Sequence, residues 1–158
     1  MSTPGAAVRV AGIADLEALL ATRVALFREL GEGPTEAERE AFVLACRDAL
    51  GVVLRDGRAA AWVALAGDGS VCGSAILLEF PRLPSPRNLR DREGYALNVY
   101  VAPEARRQGF ATALVAAAVA EGERRGLARI RLHATPSGRT VYARLGFHGR
   151  EDEMERTL

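Results

Sequence analysis

The chain has 158 residues, of which 49% are apolar and 26% are charged, and its formal net charge is +1. This length fits a single domain over residues 1–158 with an adequate core. The near-neutral charge argues against nucleic acid or an anionic membrane as a partner. All basic residues other than histidine are arginine, which excludes a catalytic lysine and the lysine of a Walker-type phosphate loop. No apolar run is long enough to cross a membrane and no signal peptide is visible, so we expect a cytoplasmic protein.

The first half of the chain is predicted to form a strand, two helices and a hairpin. The first helix, residues 14–30, carries apolar residues at helical spacing, and Pro34 and Thr35 open the second. Neither helix carries a group of residues typical of catalysis, so we expect them to supply only a wall, for example for a substrate. The predicted strands are residues 6–11, 59–66 and 71–80, with a turn at 67–70.

The second half is predicted to alternate strands and helices after an exposed loop at residues 81–92. Strict alternation along the next strand would place Leu97, Val99 and Val101 on one face and Ala96, Asn98 and Tyr100 on the other. The whole chain then has the order β-α-α-β-β-β-α-β-α-β, an α/β fold. The predicted elements are a strand at 95–101, a helix at 108–125, a strand at 128–134, a short helix at 137–145 and a final strand region at 147–158.

Cys46 and Cys72 are isolated in the sequence and lack the spacing of metal ligands. We therefore expect reduced, partly buried thiols, as in cytosolic proteins. No metal site is predicted.

The loop at residues 102–109 is the most informative segment of the chain. It follows an apolar strand and precedes a helix, so backbone N–H groups converge there at the positive end of a helix dipole. Gly109 lets the backbone approach an anion closely, and Arg106, Arg107 and Gln108 can add charge and donors. The pattern predicts a site for a phosphorylated ligand, although a solvated surface turn would look similar. The three glycines of a dinucleotide fold and the Gly-Lys-Ser/Thr of a P-loop are both missing.

Three segments in this half resemble the GNAT superfamily of N-acetyltransferases. Residues 106–111 match the family motif (Gln/Arg)-x-x-Gly-x-(Gly/Ala), residues 98–103 resemble its fourth strand with a proline exit, and residues 142–147 resemble its Tyr-x-x-Leu-Gly-Phe element. Residues 132–135 and 137–139 also resemble a branch of small bacterial members. The resemblance implies a twisted mixed sheet of about six to seven strands with four helices, whose fourth and fifth strands splay apart around acetyl-CoA.

The resemblance also implies which residues hold the cofactor. The backbone of the fourth strand would bind the pantetheine arm, and the N–H groups of the following loop and helix start would bind the pyrophosphate. At the position where many members carry asparagine, this chain has Thr135. The implied cofactor residues are Val99, Tyr100, Val101, Arg106, Arg107, Gln108, Gly109, Phe110, Ala111, Thr112 and Ser137.

Acetyl transfer to an amine requires a proton donor for the leaving thiolate and a neutral amine. By the resemblance Tyr142 is the candidate acid; packing beneath Phe147 is the alternative role. Residues 95–98 of the predicted fourth strand lack the glutamate that many members use as base. The base candidates are Glu79, Glu93 and His133, with a water chain or no dedicated base as alternatives.

The sequence therefore predicts acetyl-CoA-dependent transfer of an acetyl group directly to a primary amine. The acceptor is a small molecule, such as a polyamine, amino acid or antibiotic, or else a protein N-terminus or lysine. The arginines of loop 81–93 could favour an anionic acceptor, but a solvated loop explains them equally. A non-catalytic CoA-binding sensor on the same fold is the alternative function, and the resemblance also allows a homodimer. The length of the acyl group and the identity of the acceptor stay open.

Overall fold

The computed structural model describes residues 6–158, which form one five-stranded sheet with helices on both faces. The strands follow one another in chain order across the sheet, and the first four are antiparallel to their neighbours. Only the last pair is parallel, as expected for strands joined by a helical crossover. The strands are β1 (Ala7–Ala11), β2 (Ala59–Leu65), β3 (Val71–Pro81), β4 (Arg92–Val101) and β5 (Ile130–Arg131).

Four α-helices enclose this sheet, and the core is divided between its two faces. One apolar cluster packs beneath the crossover helix, and the other packs beneath the first two helices. None of the helices over residues 6–158 is long and apolar enough to span a membrane. The helices are α1 (Leu16–Glu29), α2 (Glu36–Arg55), α3 (Phe110–Arg124) and α4 (Arg139–Arg144), with short 3₁₀ turns at Ile13–Asp15 and Pro103–Ala105.

The mixed α/β fold with four helices confirms the sequence prediction, but the sheet has five strands rather than six or seven. Residues 147–158 contain no strand, so the predicted final strand is wrong. Six of these twelve residues are charged; Arg150 pairs with Asp152 at 2.6 Å, and Glu153 pairs with Arg131 at 3.1 Å. The neighbouring β5 has only two residues, so it offers almost no ladder for another strand to join.

β4 and β5 pair over a single short stretch and then separate. Gly94 faces Ile130 and Tyr95 faces Arg131, and no further pairs join these strands in the part of the chain described. The last six residues of β4, 96–101, therefore have one edge without a strand partner. A gap opens along this edge.

A bulge in β4 changes which way its side chains point. Ser74 pairs with Tyr100 and Ile76 pairs with Leu97, so both Asn98 and Val99 lie opposite the single residue between Ser74 and Ile76. Asn98 has φ +55°, a left-handed conformation that asparagine tolerates better than most residues. An extra residue of this kind reverses the alternation of the strand.

The bulge overturns the predicted alternation of β4. Leu97 packs against the cluster under α1 and α2, whereas Val99 packs against the cluster under α3. The side chain of Asn98 points towards α1, where it contacts Thr22. Leu97 and Asn98 therefore face one side of the sheet together, and Val99 faces the other.

Buried hydrogen bonds hold this bulge in place. The amide nitrogen of Asn98 lies 3.1 Å from Thr22 Oγ1, 3.1 Å from Ser74 Oγ and 3.2 Å from the Leu19 carbonyl oxygen. The Ser74 hydroxyl lies 2.8 Å from Thr22 Oγ1 and 2.9 Å from the Asn98 carbonyl oxygen. All three polar side chains are buried. Since unpaired buried polar groups are costly, this cluster ties α1, β3 and β4 to one geometry.

We predict that Asn98→Gly lowers the free energy of unfolding by about 2 kcal/mol, because glycine removes the hydrogen bonds and still accepts the left-handed backbone. Asn98→Ala should cost about 1 kcal/mol more, because alanine is also strained at φ > 0. Urea unfolding of the two variants measures the free energy lost with the hydrogen bonds and the further loss caused by backbone strain. If Asn98→Gly had the same free energy of unfolding as the unmodified protein, the cluster would have no stabilising role.

Candidate active site

The gap between β4 and β5 widens into a cleft of about 1030 Å³. Its walls are α1, the free edge of β4, the loop that follows β4, the start of α3, the chain after β5, and α4. Clefts of this size at the carboxyl ends of parallel strands are the usual ligand sites of α/β sheets. Both halves of the predicted cofactor site, the β4 edge and the loop, line this one cleft.

The loop between β4 and α3 presents a row of free backbone donors. Arg107 has φ +62° and Gly109 has φ +83°, and these left-handed positions turn successive N–H groups towards one side. Within the part of the chain described, the N–H groups of residues 107–112 make no hydrogen bond, and the first bond of the helix is Ala113 N–H to Gly109 O at 3.0 Å. A Cβ at Gly109 would meet nothing within 4 Å. The loop can therefore receive an anion at the positive end of the 15-residue helix α3.

Arg106 anchors this loop. Its Nε donates to the Val101 carbonyl oxygen at 3.0 Å, and its terminal nitrogen pairs with the Glu29 carboxylate at the end of α1. The guanidinium is thus engaged by protein groups, while Arg107 carries no such pair among the described residues. Of the predicted cofactor residues, Gln108 is the one that lies outside the cleft lining.

The free edge of β4 supplies donors further along the cleft. Ala102 N–H donates to the Cys72 carbonyl oxygen of β3 at 2.8 Å. Backbone N–H groups point to alternate sides along a strand, so that of Val101 points away from β3 and into the cleft. The Val99 N–H also points away from β3, because the Asn98 carbonyl of the same peptide group accepts a hydrogen bond from Ser74 on β3. This direction depends on the bulge at Asn98, because the extra residue determines which residues after it direct their N–H groups away from β3.

Tyr142 lines the cleft from α4. Its ring lies edge-on to Phe147, with centroids 6.0 Å apart, so the predicted packing contact is present as well. Burial raises the pKa of the Tyr142 phenol above its ordinary value of about 10. The phenol is therefore protonated at neutral pH and can donate a proton.

Ser137 and Thr135 line the cleft at the start of α4. Their hydroxyl oxygens are 3.2 Å apart, and Gly138 N–H lies 3.3 Å from Thr135 Oγ1. Thr135 therefore shapes the turn into α4.

His133 also lies in the cleft, where its Nδ1 contacts the Tyr95 hydroxyl. Its Nε2 lies 3.9 Å from the Glu155 carboxylate, and the side chain is largely exposed. This histidine is therefore open to solvent and to a ligand at the same time.

The other two candidate bases lie outside the cleft lining. Glu93 is 2% exposed, and its carboxylate oxygens lie 2.7 Å from Arg129 and 2.6 Å from Arg131. Glu79 lies 2.8 Å from Arg92 and 3.0 Å from a second arginine, Arg125. Both carboxylates thus form ion pairs where β4 begins, at the far end of the strand from the loop.

The ion pairs of Glu79 also change the pKa of its carboxyl group. Burial alone would raise its pKa, but hydrogen bonds from Arg125 and Arg92 outweigh burial and lower it. An acid with a lowered pKa is a weak base, which favours a structural role for this carboxylate.

One face of α1 supplies residues that the sequence did not single out. Thr22 accepts a hydrogen bond from Asn98 at the bulge, and the part of α1 that follows Thr22 lines the cleft. The spacing of the lining residues, three or four apart, marks one helical face, but apolar packing against the core has the same spacing. The lining residues of α1 are Arg23, Leu26, Phe27, Glu29 and Leu30.

The chain is similar to proteins of one family along most of its length. Residues 20–147 match the sequence model of the family described as "Acetyltransferase (GNAT) family". No curated protein gives a significant match.

Solved structures agree with the family match. A GCN5-related N-acetyltransferase from Ralstonia eutropha is 36% identical, with a TM-score of 0.84 and coverage of 98% of this chain and 99% of that one. A predicted acetyltransferase from Clostridium acetobutylicum, in a structure with acetyl-CoA, is 24% identical, with a TM-score of 0.84 over 96% and 95% of the two chains. Glucosamine-6-phosphate N-acetyltransferase from Arabidopsis thaliana is 14% identical, with a TM-score of 0.70 over 96% and 97%. The last two likenesses concern the fold.

Proposed function

The chain belongs to the acetyltransferase (GNAT) family, and we propose that it transfers an acetyl group from acetyl-CoA directly to a primary amine of a small molecule or peptide. The observation that carries this proposal is the row of free N–H groups at residues 107–112, which opens into the same cleft as the β4 edge. One end of the cleft suits a diphosphate, and the other brings together groups suited to acyl transfer.

The backbone of this chain would hold acetyl-CoA along the cleft. The N–H groups of residues 107–112 would bind the pyrophosphate, and the free edge of β4 at residues 99–101 would bind the pantetheine arm. Acetyl-CoA supplies the acetyl group as a thioester. The Val99 N–H is the donor best directed to bind its carbonyl oxygen, because it points away from β3 at the bulge.

The transfer forms a bond between the amine nitrogen and the acetyl carbon and breaks the carbon–sulfur bond. The amine loses one proton, and the leaving thiolate gains one. Tyr142 is the proposed donor to the sulfur, because its buried phenol lines the cleft in the protonated form.

His133 is the proposed acceptor of the amine proton. Of the three base candidates it is the one that lines the cleft, while Glu79 and Glu93 are ion-paired outside the lining. Its imidazole is open both to the cleft and to solvent, so it can take the amine proton and pass it on to water.

The structure favours direct transfer over an acyl-enzyme. Cys72 is buried, and burial raises the pKa of its thiol, which lowers the fraction of reactive thiolate. Cys72 is also absent from the lining of the cleft. The acetyl group would therefore pass straight from the cofactor to the amine.

We predict that Gly109→Ala weakens CoA binding by at least about 10-fold, because a side chain at φ +83° strains the loop and blocks close approach of an anion. Gly126→Ala is the matched control: Gly126 also has positive φ, +67°, and open space around it, but it follows α3 and lies outside the cleft lining. Calorimetric titration with CoA measures both. Equal CoA affinity in the two variants would contradict the proposed pyrophosphate site.

We predict that Tyr142→Phe lowers kcat by about 100-fold or more, the usual contribution of a positioned acid. The affinity for CoA should change less than about 3-fold, because phenylalanine keeps the ring that packs on Phe147. Free-thiol release from acetyl-CoA across a panel of amines measures turnover. Unchanged turnover would remove Tyr142 as the acid, and CoA binding without turnover on any amine by the unmodified protein would favour the sensor function.

A further inference from the structure

The charged side chains that line the cleft are predominantly positive. Glu29 is the one acidic residue among the described lining residues, and Arg106 is hydrogen-bonded to it. No free carboxylate is therefore available in this lining to bind a second cationic group of an acceptor. The positive or protonatable lining residues are Arg23, Arg106, Arg107, His133 and Arg144.

Arg23 is the cation on the α1 wall. It is half-buried, and its guanidinium lies over the ring of Phe27, 4.9 Å from the centroid. Among residues 6–158 no carboxylate forms an ion pair with it, in contrast to Arg106. Stacking on an aromatic ring orders the guanidinium and leaves its N–H edge free for a planar anion.

Arg23 and Glu29 lie at different heights along α1. The next residue back, Thr22, contacts Asn98 at the bulge, whereas Glu29 contacts the loop through Arg106. Six helical residues span about 9 Å, so the backbone of Arg23 lies level with the bulge, and its guanidinium reaches one turn further along α1, over Phe27. Leu26 on α1 and Leu97 on β4 supply apolar surface to the same lining.

The arginines of the loop at 81–93 do not supply a comparable anion site. Arg82 donates to the Arg90 carbonyl oxygen at 2.6 Å, Arg90 donates to the Leu127 carbonyl oxygen at 2.9 Å, and Arg92 pairs with Glu79 at 2.8 Å. None of these three lines the cleft, and neither does Arg87, the fourth arginine of the loop. The guanidinium groups of Arg82, Arg90 and Arg92 hold the loop against the protein.

We propose that Arg23 binds a carboxylate of the acceptor, and that the acceptor is an amine with an apolar body and a carboxylate, the class to which apolar amino acids belong. This inference rests on the proposed acetyl transfer and names the acceptor of that same cleft. The carboxylate pairs with the guanidinium, the apolar body lies against α1 and β4, and the amine reaches the acetyl group at the bulge. Polyamines are disfavoured because the described lining offers no unpaired acidic side chain for a second ammonium group.

Product binding tests the proposal without requiring turnover. The probes are N-acetyl-leucine, N-acetyl-methionine and N-acetyl-phenylalanine, each compared with its neutral amide by calorimetry on the protein saturated with CoA. The carboxylate should bind at least about 10-fold tighter than the amide in one or more pairs, as expected for a charge-assisted hydrogen bond. Arg23→Gln should remove this preference and change the affinity for the amide less than about 2-fold.

Two further variants control for charge and geometry. Arg28→Gln removes the same charge from an exposed position on α1 outside the lining, and it should keep the carboxylate preference. Arg23→Lys should keep part of it, because lysine retains the charge but not the planar fork.

The outcomes separate this inference from the proposed function. Equal binding of carboxylate and amide in all three pairs, no binding of any probe, or an equal loss for both in Arg23→Gln would overturn the carboxylate site. In those cases the proposed function would still stand if the protein acetylated amines that lack a carboxylate, measured as thiol release from acetyl-CoA. Failure of CoA itself to bind would overturn the proposed function first.

Discussion

The buried hydrogen bonds of Asn98 are the interaction on which the rest of the site depends. They hold one extra residue in β4 and thereby set the direction of every group that follows it in the strand. The Val99 side chain turns to the α3 core, and its N–H turns to the cleft. The same contacts bind α1 through Thr22, so the helix that carries Arg23 is held in register with the strand edge.

Ion pairs fix the opposite end of the cleft. Glu93 at the start of β4 pairs with Arg131 in β5 and with Arg129 just before it, where the two strands are still hydrogen-bonded. Beyond this point no pairing holds β4 to β5 in the described chain, and the strands diverge. The carboxylate that resembled a catalytic base in the sequence thus helps to close one end of the cleft, which extends from Tyr95 past the bulge to the loop.

The local parts of this architecture could be predicted from the sequence. Glycine and proline mark the loop before α3, helical spacing marks α1 and α3, and the Gly-Asp-Gly-Ser turn marks the β2–β3 hairpin. The bulge could not be predicted, because it depends on contacts of Asn98 with residues 24 and 76 positions away. The prediction of a final strand was wrong because β5, with only two residues, is too short to pair with it. The partners of Glu79 and Glu93 come from distant arginines, so sequence alone could not distinguish ion-paired carboxylates from free ones.

A crystal structure of the protein with acetyl-CoA tests the central claim most directly, since it locates both ends of the cofactor against the backbone. The account predicts that the thioester carbonyl oxygen lies about 3 Å from the Val99 nitrogen, with the pyrophosphate on the N–H groups of residues 107–112 and the sulfur facing Tyr142. A cofactor whose pyrophosphate lies elsewhere, or whose carbonyl contacts no N–H of β4, would contradict the account.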